Sequence, residues 1–235
     1  MQPTTQPLIV PQQFHGPPRS GNGGWTSGAL AERLAAPDSP VTVALRLPPP
    51  LDIPLALEES EAGLAATLDG RTVAQARIDA AALTPVPPVT VEEAADAQTR
   101  YAGFAAHPFP TCFACGPDRA EGEGLHIFPG RVAHDPERFA TAWTPYDVTV
   151  PIVWAALDCA SGWAAGVDER PAVLGTITAQ VHRLPAVGEP HVAVGALRGS
   201  EGRKALTASS LYTAGGELLA TAEQVWIAIN PDDFA

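Results

Sequence analysis

From Val148 to Val167 the chain carries a single charged side chain, Asp158, set among Ile152, Val153, Trp154, Leu157 and Trp163. Pro151 suits the first turn of a helix, where its missing N–H would have no partner anyway. A helix that is apolar all the way round has no face to offer water, so other elements must wrap it. The proline and the acid argue against a membrane span. Asp158 should then be at least partly buried. An unpaired buried carboxylate is costly, and its pKa rises unless donors surround it. Such a group is a candidate for chemistry; the plainer reading is an acid that bonds a neighbouring loop at the helix edge.

The rest of the sequence supplies strands. The 25 prolines and 21 glycines fall in clusters that punctuate the chain. Gly16 to Gly28 reads as a loop entering a short helix that continues through Leu34. Strand-like runs follow at Val41 to Leu47, Pro54 to Leu68 and, after the hairpin signal Asp69-Gly70, Thr72 to Asp79. Beyond the Pro85 to Pro88 break, an acidic helical connector runs from Val91 to about Ala102. The second block reads strand (Gly124 to Phe128), strand (Arg138 to Trp143) and helix (Pro151 to Gly166). Four strands then follow, at Val173 to Leu184, Pro190 to Arg198, Arg203 to Thr213 and Glu217 to Ile229. Both halves share an order of loop, helix and antiparallel strands, which makes the expected fold α+β with two similar halves. Arg46-Leu47-Pro48 after one β-run echoes Arg183-Leu184-Pro185 after another. A rival echo, Gly24-Trp25-Thr26-Ser27-Gly28 with Gly162-Trp163-Ala164-Ala165-Gly166, puts the helices out of step, so the register of the repeat stays open.

A length of 235 residues, 46% of them hydrophobic, allows one large domain or two small ones and excludes wholesale disorder. With 26 acids against 14 Lys and Arg, the net charge of -12 opposes nucleic acid and anionic lipid. Met1 to Gln13 has neither a basic region nor an apolar block, so no export signal is expected. Three cysteines do not make a disulfide framework. The expected location is therefore the cytoplasm.

The pattern Val153-Trp154-Ala155-Ala156-Leu157-Asp158-Cys159-Ala160-Ser161-Gly162 resembles the acid-bearing helix of hotdog-fold acyl-CoA thioesterases. Cys112-Phe113-Ala114-Cys115-Gly116-Pro117-Asp118, then Gly124-Leu125-His126-Ile127-Phe128, resembles the lead-in of the phenylacetyl-CoA-thioesterase-like branch. Phe14, Gly23-Gly24 and Gly28-Ala29-Leu30, with Leu219-Ala220-Thr221-Ala222-Glu223-Gln224 near the end, are similar to the acyl-CoA thioesterase II type, which carries two hotdogs in one chain. The resemblance implies a double hotdog, two tandem halves each with one central helix wrapped by an antiparallel sheet. The expected division is residues 1–88 as a degenerate N-terminal half, 89–121 as a connector with the C-x-x-C segment, and 122–235 as the half bearing the acidic helix.

It further implies hydrolysis of an acyl-CoA or acyl-carrier thioester, with coenzyme A present only as part of the substrate. In such a site one hotdog offers a helix N-terminal amide to the thioester oxygen and the other an acid. A helix N-terminus suits a developing oxyanion because its N–H groups are free. Here the halves divide the work. Gly23-Gly24 opens a helix where amides of Gly24 or Trp25 would meet the oxygen, and Asp158 would activate water or attack directly. At the second helix the family's His-Gly-Gly entry is replaced by Val150-Pro151-Ile152, and Pro151 cannot donate. Thr176 or Thr178, on one face of the Val173 to Arg183 run, would bond Asp158 or water, and Gln224 would join from the last strand. Arg198, Arg203 and Lys204 would receive phosphates. Glu32 is a competing acid, with a solvated helix face as its plainer reading.

Cys112 and Cys115 would be half a zinc site, needing His107, His126 or His134 for the rest, and no metal is expected. Cys159 points about 100° away from Asp158 on a helix and reads as core. The alternatives to hydrolysis are a non-catalytic acyl-ligand binding protein and a dehydratase, which would require a partner for His182. A monomer or a homodimer both fit two paired halves.

Overall fold

In a computed structural model the structure describes residues 6–36 and 39–230; residues 1–5, part of the stretch read for an export signal, lie outside it. Helix α1 (Gly23–Ala31) is followed by β1 (Val41–Leu45), β2 (Ala56–Ser60), β3 (Gly63–Leu68) and β4 (Arg71–Ile78). A connector helix α2 (Val91–Gln98) leads to β5 (Gly130–Val132), β6 (Asp135–Trp143) and helix α3 (Val150–Ala164). The chain then runs through β7 (Ala172–Val181), β8 (His191–Glu201), β9 (Lys204–Thr213) and β10 (Leu218–Ala228).

The strands form one antiparallel sheet in the order β2-β3-β4-β1-β7-β10-β9-β8-β6-β5. Its two halves join where β1 pairs with β7, Thr42 standing opposite Thr178. Moving outward from that seam, β1-β4-β3-β2 repeats the order β7-β10-β9-β8, and β6 continues the second half with no counterpart in the first. The strand that follows each central helix therefore lies at the seam. Arg46-Leu47-Pro48 and Arg183-Leu184-Pro185 both follow a seam strand, so that echo carries the true register. The rival echo matches the first turn of α1 with the last turn of α3.

Every residue of α3 from Pro151 to Ala164 is buried, as its lack of a polar face requires. Thr149 caps it, accepting a bond from Ile152 N–H. Helix α1 holds three glycines, a composition that disfavours helix, yet Gly24 to Ala31 are all buried. Packing supplies the reason. A Cβ on Gly24 would lie 2.5 Å from the Trp154 carbonyl oxygen, and one on Gly28 would lie 2.7 Å from Pro151 Cα. The glycines let the two central helices touch backbone to backbone.

The connector lies against the sheet's outer face. Thr90 and Glu93 form a reciprocal cap at the start of α2, and Ala94 and Ala97 pack with Val86 against Val192, Val194, Ala208 and Tyr212. The strand expected at Gly124 to Phe128 is not formed. Leu125 and Ile127 donate instead to the Phe113 and Ala114 carbonyls of the C-x-x-C loop, and His126 takes a left-handed φ of 54°.

Candidate active site

Asn22 caps α1, its Oδ1 accepting from Trp25 N–H at 2.8 Å. One residue earlier in the helix, Gly24 N–H donates at 2.8 Å to Asp158 Oδ2. The glycine and the acid, 134 residues apart, thus form one bonded pair across the helix contact. This corrects the expected role of Gly24 and Trp25: both amides are engaged within the protein and neither is free for a carbonyl. Gly23 N–H, the first of the helix, makes no hydrogen bond to any described residue. It is the amide left at that N-terminus.

Asp158 is 2% exposed, and its second oxygen, Oδ1, has no hydrogen-bond partner among the described residues. Burial raises its pKa to about 8, the Gly24 bond opposing and the nearby Cys112 adding to the shift. Asp158 lines a cavity of about 250 Å³ whose walls also include Gly23, Leu45, Cys112, Leu174 and Trp226. The α3 backbone beneath the acid is pinned from β10. Trp226 Nε1 donates to Ser161 Oγ at 3.0 Å, and Ser161 Oγ donates to the Asp158 carbonyl at 2.8 Å.

The other expected residues fall differently. Gln224 is buried and donates to the Leu157 carbonyl at 3.4 Å and to Ser209 Oγ at 2.6 Å, so it braces the peptide beside Asp158 rather than lining the cavity. Thr178 is not brought to Asp158. Its hydroxyl meets Thr42 Oγ1 at 2.7 Å, and Thr42 donates to Asp79 at 2.6 Å, on the side of the sheet away from the helices. Thr176 lies on that same side, opposite the buried Leu174, Ile177 and Ala179; a ladder irregularity near Leu174 resets the alternation.

Arg198, Arg203 and Lys204 occupy the exposed β8–β9 hairpin and do not line the cavity. Arg198 falls at a ladder irregularity, while Lys204 pairs across the ladder with Ile227, a lining residue. The cationic residue that lines the cavity is Arg46 at its rim, which the sequence reading passed over as part of a repeat echo.

Exchanging the two helices by the contacts Gly24–Ala155 and Gly28–Pro151 carries Gly24 onto Pro151 and Asp158 onto Ala31. The related position thus lacks both the donor and the acid, as the Val150-Pro151-Ile152 departure suggested. Glu32, next to Ala31, is exposed beside a separate cavity that also holds His182.

Three sulphurs complete the main cavity wall. Cys112, Cys115 and Cys159 are buried, and their Sγ atoms all lie within 4.8 Å of one another. Asn22 Nδ2 faces Cys112 at 3.7 Å and Cys159 at 3.9 Å, and His107 Nε2 faces Cys115 at 3.4 Å. Hydrogen bonds from Cys115 and Cys159 hold the Cys112 thiol well below the usual range, while theirs are pushed well above it. The sequence reading missed this group because Cys159 reads as core when only its neighbours along the helix are considered.

No protein-family model and no curated protein matches the chain. Solved structures do. The tesB protein of Mycobacterium avium subs paratuberculosis aligns at 15% identity over 96% of this chain and 91% of its own, with a TM-score of 0.57. A conserved protein of unknown function with hot dog fold from Alicyclobacillus acidocaldarius aligns at 14% over 93% and 90%, TM-score 0.57. The acyl-CoA thioesterase II TesB2 of Mycobacterium marinum aligns at 12% over 91% and 93%, TM-score 0.54. The fold is a double hotdog. In this double hotdog the acid of the second half meets the helix start of the first, and among the described residues no helix is long and apolar enough to cross a membrane.

Proposed function

We propose that this double-hotdog chain hydrolyses an acyl thioester, carried by coenzyme A or by an acyl-carrier protein, at the single cavity holding Asp158. The observation that carries the reading is the geometry of that acid. Gly24 N–H fixes one carboxyl oxygen, the other is buried without a partner among the described residues, and the residue lines the cavity. In its ionised form, which the raised pKa of about 8 favours only toward alkaline pH, a carboxyl so held can take a proton from water as the water attacks the thioester carbonyl. Gly23 N–H, free at the helix start, is the donor suited to the developing oxyanion. Collapse of the tetrahedral intermediate breaks the C–S bond, and the leaving thiolate regains the proton from Asp158.

The cavity, about 250 Å³, is smaller than the roughly 300–1,000 Å³ of sites that enclose a whole drug-sized ligand. It suits the thioester end of the substrate, with a nucleotide carrier left outside near Arg46 and the β8–β9 hairpin. The similarity to a structure named as an acyl-CoA thioesterase II supports the same chemistry. A dehydratase would pair the acid with a histidine. His182 lies at the other cavity, and both ring nitrogens of His107 are already bonded.

Thiol release from short, long and aromatic acyl-CoAs by the wild type and Asp158→Asn tests the reading. The substitution should cost about 100-fold or more, in line with loss of a general base. Undiminished hydrolysis by the variant would refute the assignment. A wild type that hydrolyses none of the panel, yet melts higher with a non-hydrolysable acyl-CoA, would identify a binding protein instead.

A further inference from the structure

We propose that Cys112, Cys115 and Cys159 form a three-thiolate site for a soft divalent cation of the zinc class, with its fourth coordination position open to the cavity. Tetrahedral zinc–thiolate bonds of about 2.3 Å place neighbouring sulphurs about 3.8 Å apart. Three buried sulphurs within 4.8 Å of one another need only side-chain adjustment to reach that spacing.

The donors around the sulphurs point the same way. Asn22 Oδ1 is committed to Trp25 N–H, which turns the Nδ2 hydrogens toward Cys112 and Cys159. His107 Nδ1 accepts from Phe109 N–H at 2.9 Å, so the proton of the neutral ring is on Nε2, aimed at Cys115. Neutral thiols are weak acceptors, whereas thiolates repay such a set of N–H groups. Three thiolates in one buried space repel unless a cation lies between them. The same tautomer makes His107 an outer-shell donor rather than a ligand.

Asp158 is outside the sulphur group as its atoms stand, so the protein offers three ligands. Three ligands and an open position is the arrangement of zinc sites that hold water or substrate. The cation would also fasten the C-x-x-C loop to helix α3, two segments joined in sequence only through a long connection. This inference stands apart from the thioesterase reading, because it concerns the sulphurs and not the turnover.

The test begins with chain purified without chelator, its metal content measured by mass spectrometry, followed by titration of the reduced, metal-free protein with cobalt(II). Near-stoichiometric zinc, or sulphur-to-cobalt charge-transfer bands with tetrahedral visible bands, is expected. Cys159→Ser should weaken cobalt binding by about 100-fold or more while circular dichroism keeps the wild-type form. If the reduced wild type binds neither metal, or if Cys159→Ser binds cobalt as the wild type does, the site is refuted. Loss of two free thiols in metal-free protein as isolated, with none recovered as a metal complex, would overturn it in favour of a disulfide. These readouts do not depend on whether any acyl thioester is hydrolysed.

Discussion

Gly24→Ala tests the joint on which the active site is built. In an exposed helix this substitution would stabilise the chain by up to about 1 kcal/mol. Here the new methyl would lie 2.5 Å from Asp158 Cβ, 2.5 Å from the Trp154 carbonyl oxygen and 2.8 Å from Ala155 Cα. Two of those three atoms are backbone of a fully buried helix, so neither neighbour can rotate away. Overpacking costs about 1–3 kcal/mol, and with backbone on both sides the upper end applies. Moving the helices apart also stretches the bond from Gly24 N–H to the carboxyl, worth about 1.5 kcal/mol. After the helix gain is set against these, a net loss of about 3 kcal/mol remains, or about 6–12 °C in melting temperature for a chain of this size. Gly23→Ala is the control. Its methyl would meet Leu174 Cβ at 2.9 Å and the movable ends of Leu174 and Leu45 at 3.1 and 3.3 Å, with no backbone atom among them, so its loss should be smaller, about 1–2 kcal/mol. Urea unfolding of the three proteins, followed by fluorescence of the buried tryptophans, gives the comparison. If Gly24→Ala were as stable as the wild type, or less harmful than Gly23→Ala, the backbone-to-backbone contact would be refuted.

Asp158→Asn should keep the fold, because an amide oxygen can still accept from Gly24 N–H and the site merely exchanges one unpartnered atom for another; a melting temperature several degrees below wild type would contradict this. Asp79 is held below the usual carboxylate range, first by the Thr42 hydroxyl and further by Arg77. Its contribution to stability is therefore present above the unfolded pKa and is lost as pH falls through the lower folded value. Thr42→Val should be less stable than wild type at neutral pH, the gap closing on acidification; a gap independent of pH would show that the Thr42 hydroxyl does not hold Asp79. Arg46→Ala should raise KM for acyl-CoA with kcat held, and an unchanged KM would remove Arg46 from the carrier's path.

The acidic helix was legible because nothing along it competes with burial: an apolar segment from Val148 to Val167 with one acid can only be wrapped, and α3 is. The glycines of α1 were legible as a special helix start, but not in their role. Whether an amide meets a substrate or a side chain depends on what stands opposite, and Asp158 stands opposite from 134 residues away. Alternation along β7 correctly divided Thr176 and Thr178 from Ile177 and Ala179. It could not say which face looked inward. In a half-polar strand that choice belongs to the partners, here Thr42 and Asp79 on the far side of the seam. The Gly124 to Phe128 run failed as a strand because its amides found acceptors in the C-x-x-C loop before any sheet edge could supply them.

The two halves of the chain explain why one cavity carries the chemistry. A symmetric pair of hotdogs would repeat the amide–acid joint at both helix contacts, and each joint demands a glycine on one helix and a carboxyl on the other. At the second contact Pro151 removes the N–H and Ala31 removes the acid. A carboxyl added there, as in Ala31→Asp, would be buried with no helix amide to receive it, because the residue facing it is the proline. Its desolvation would go unanswered, so the variant should be destabilised rather than gain a second site. The proline at the start of α3 and the glycine at the start of α1 are therefore one coupled choice, and it fixes which half supplies the donor and which the acid.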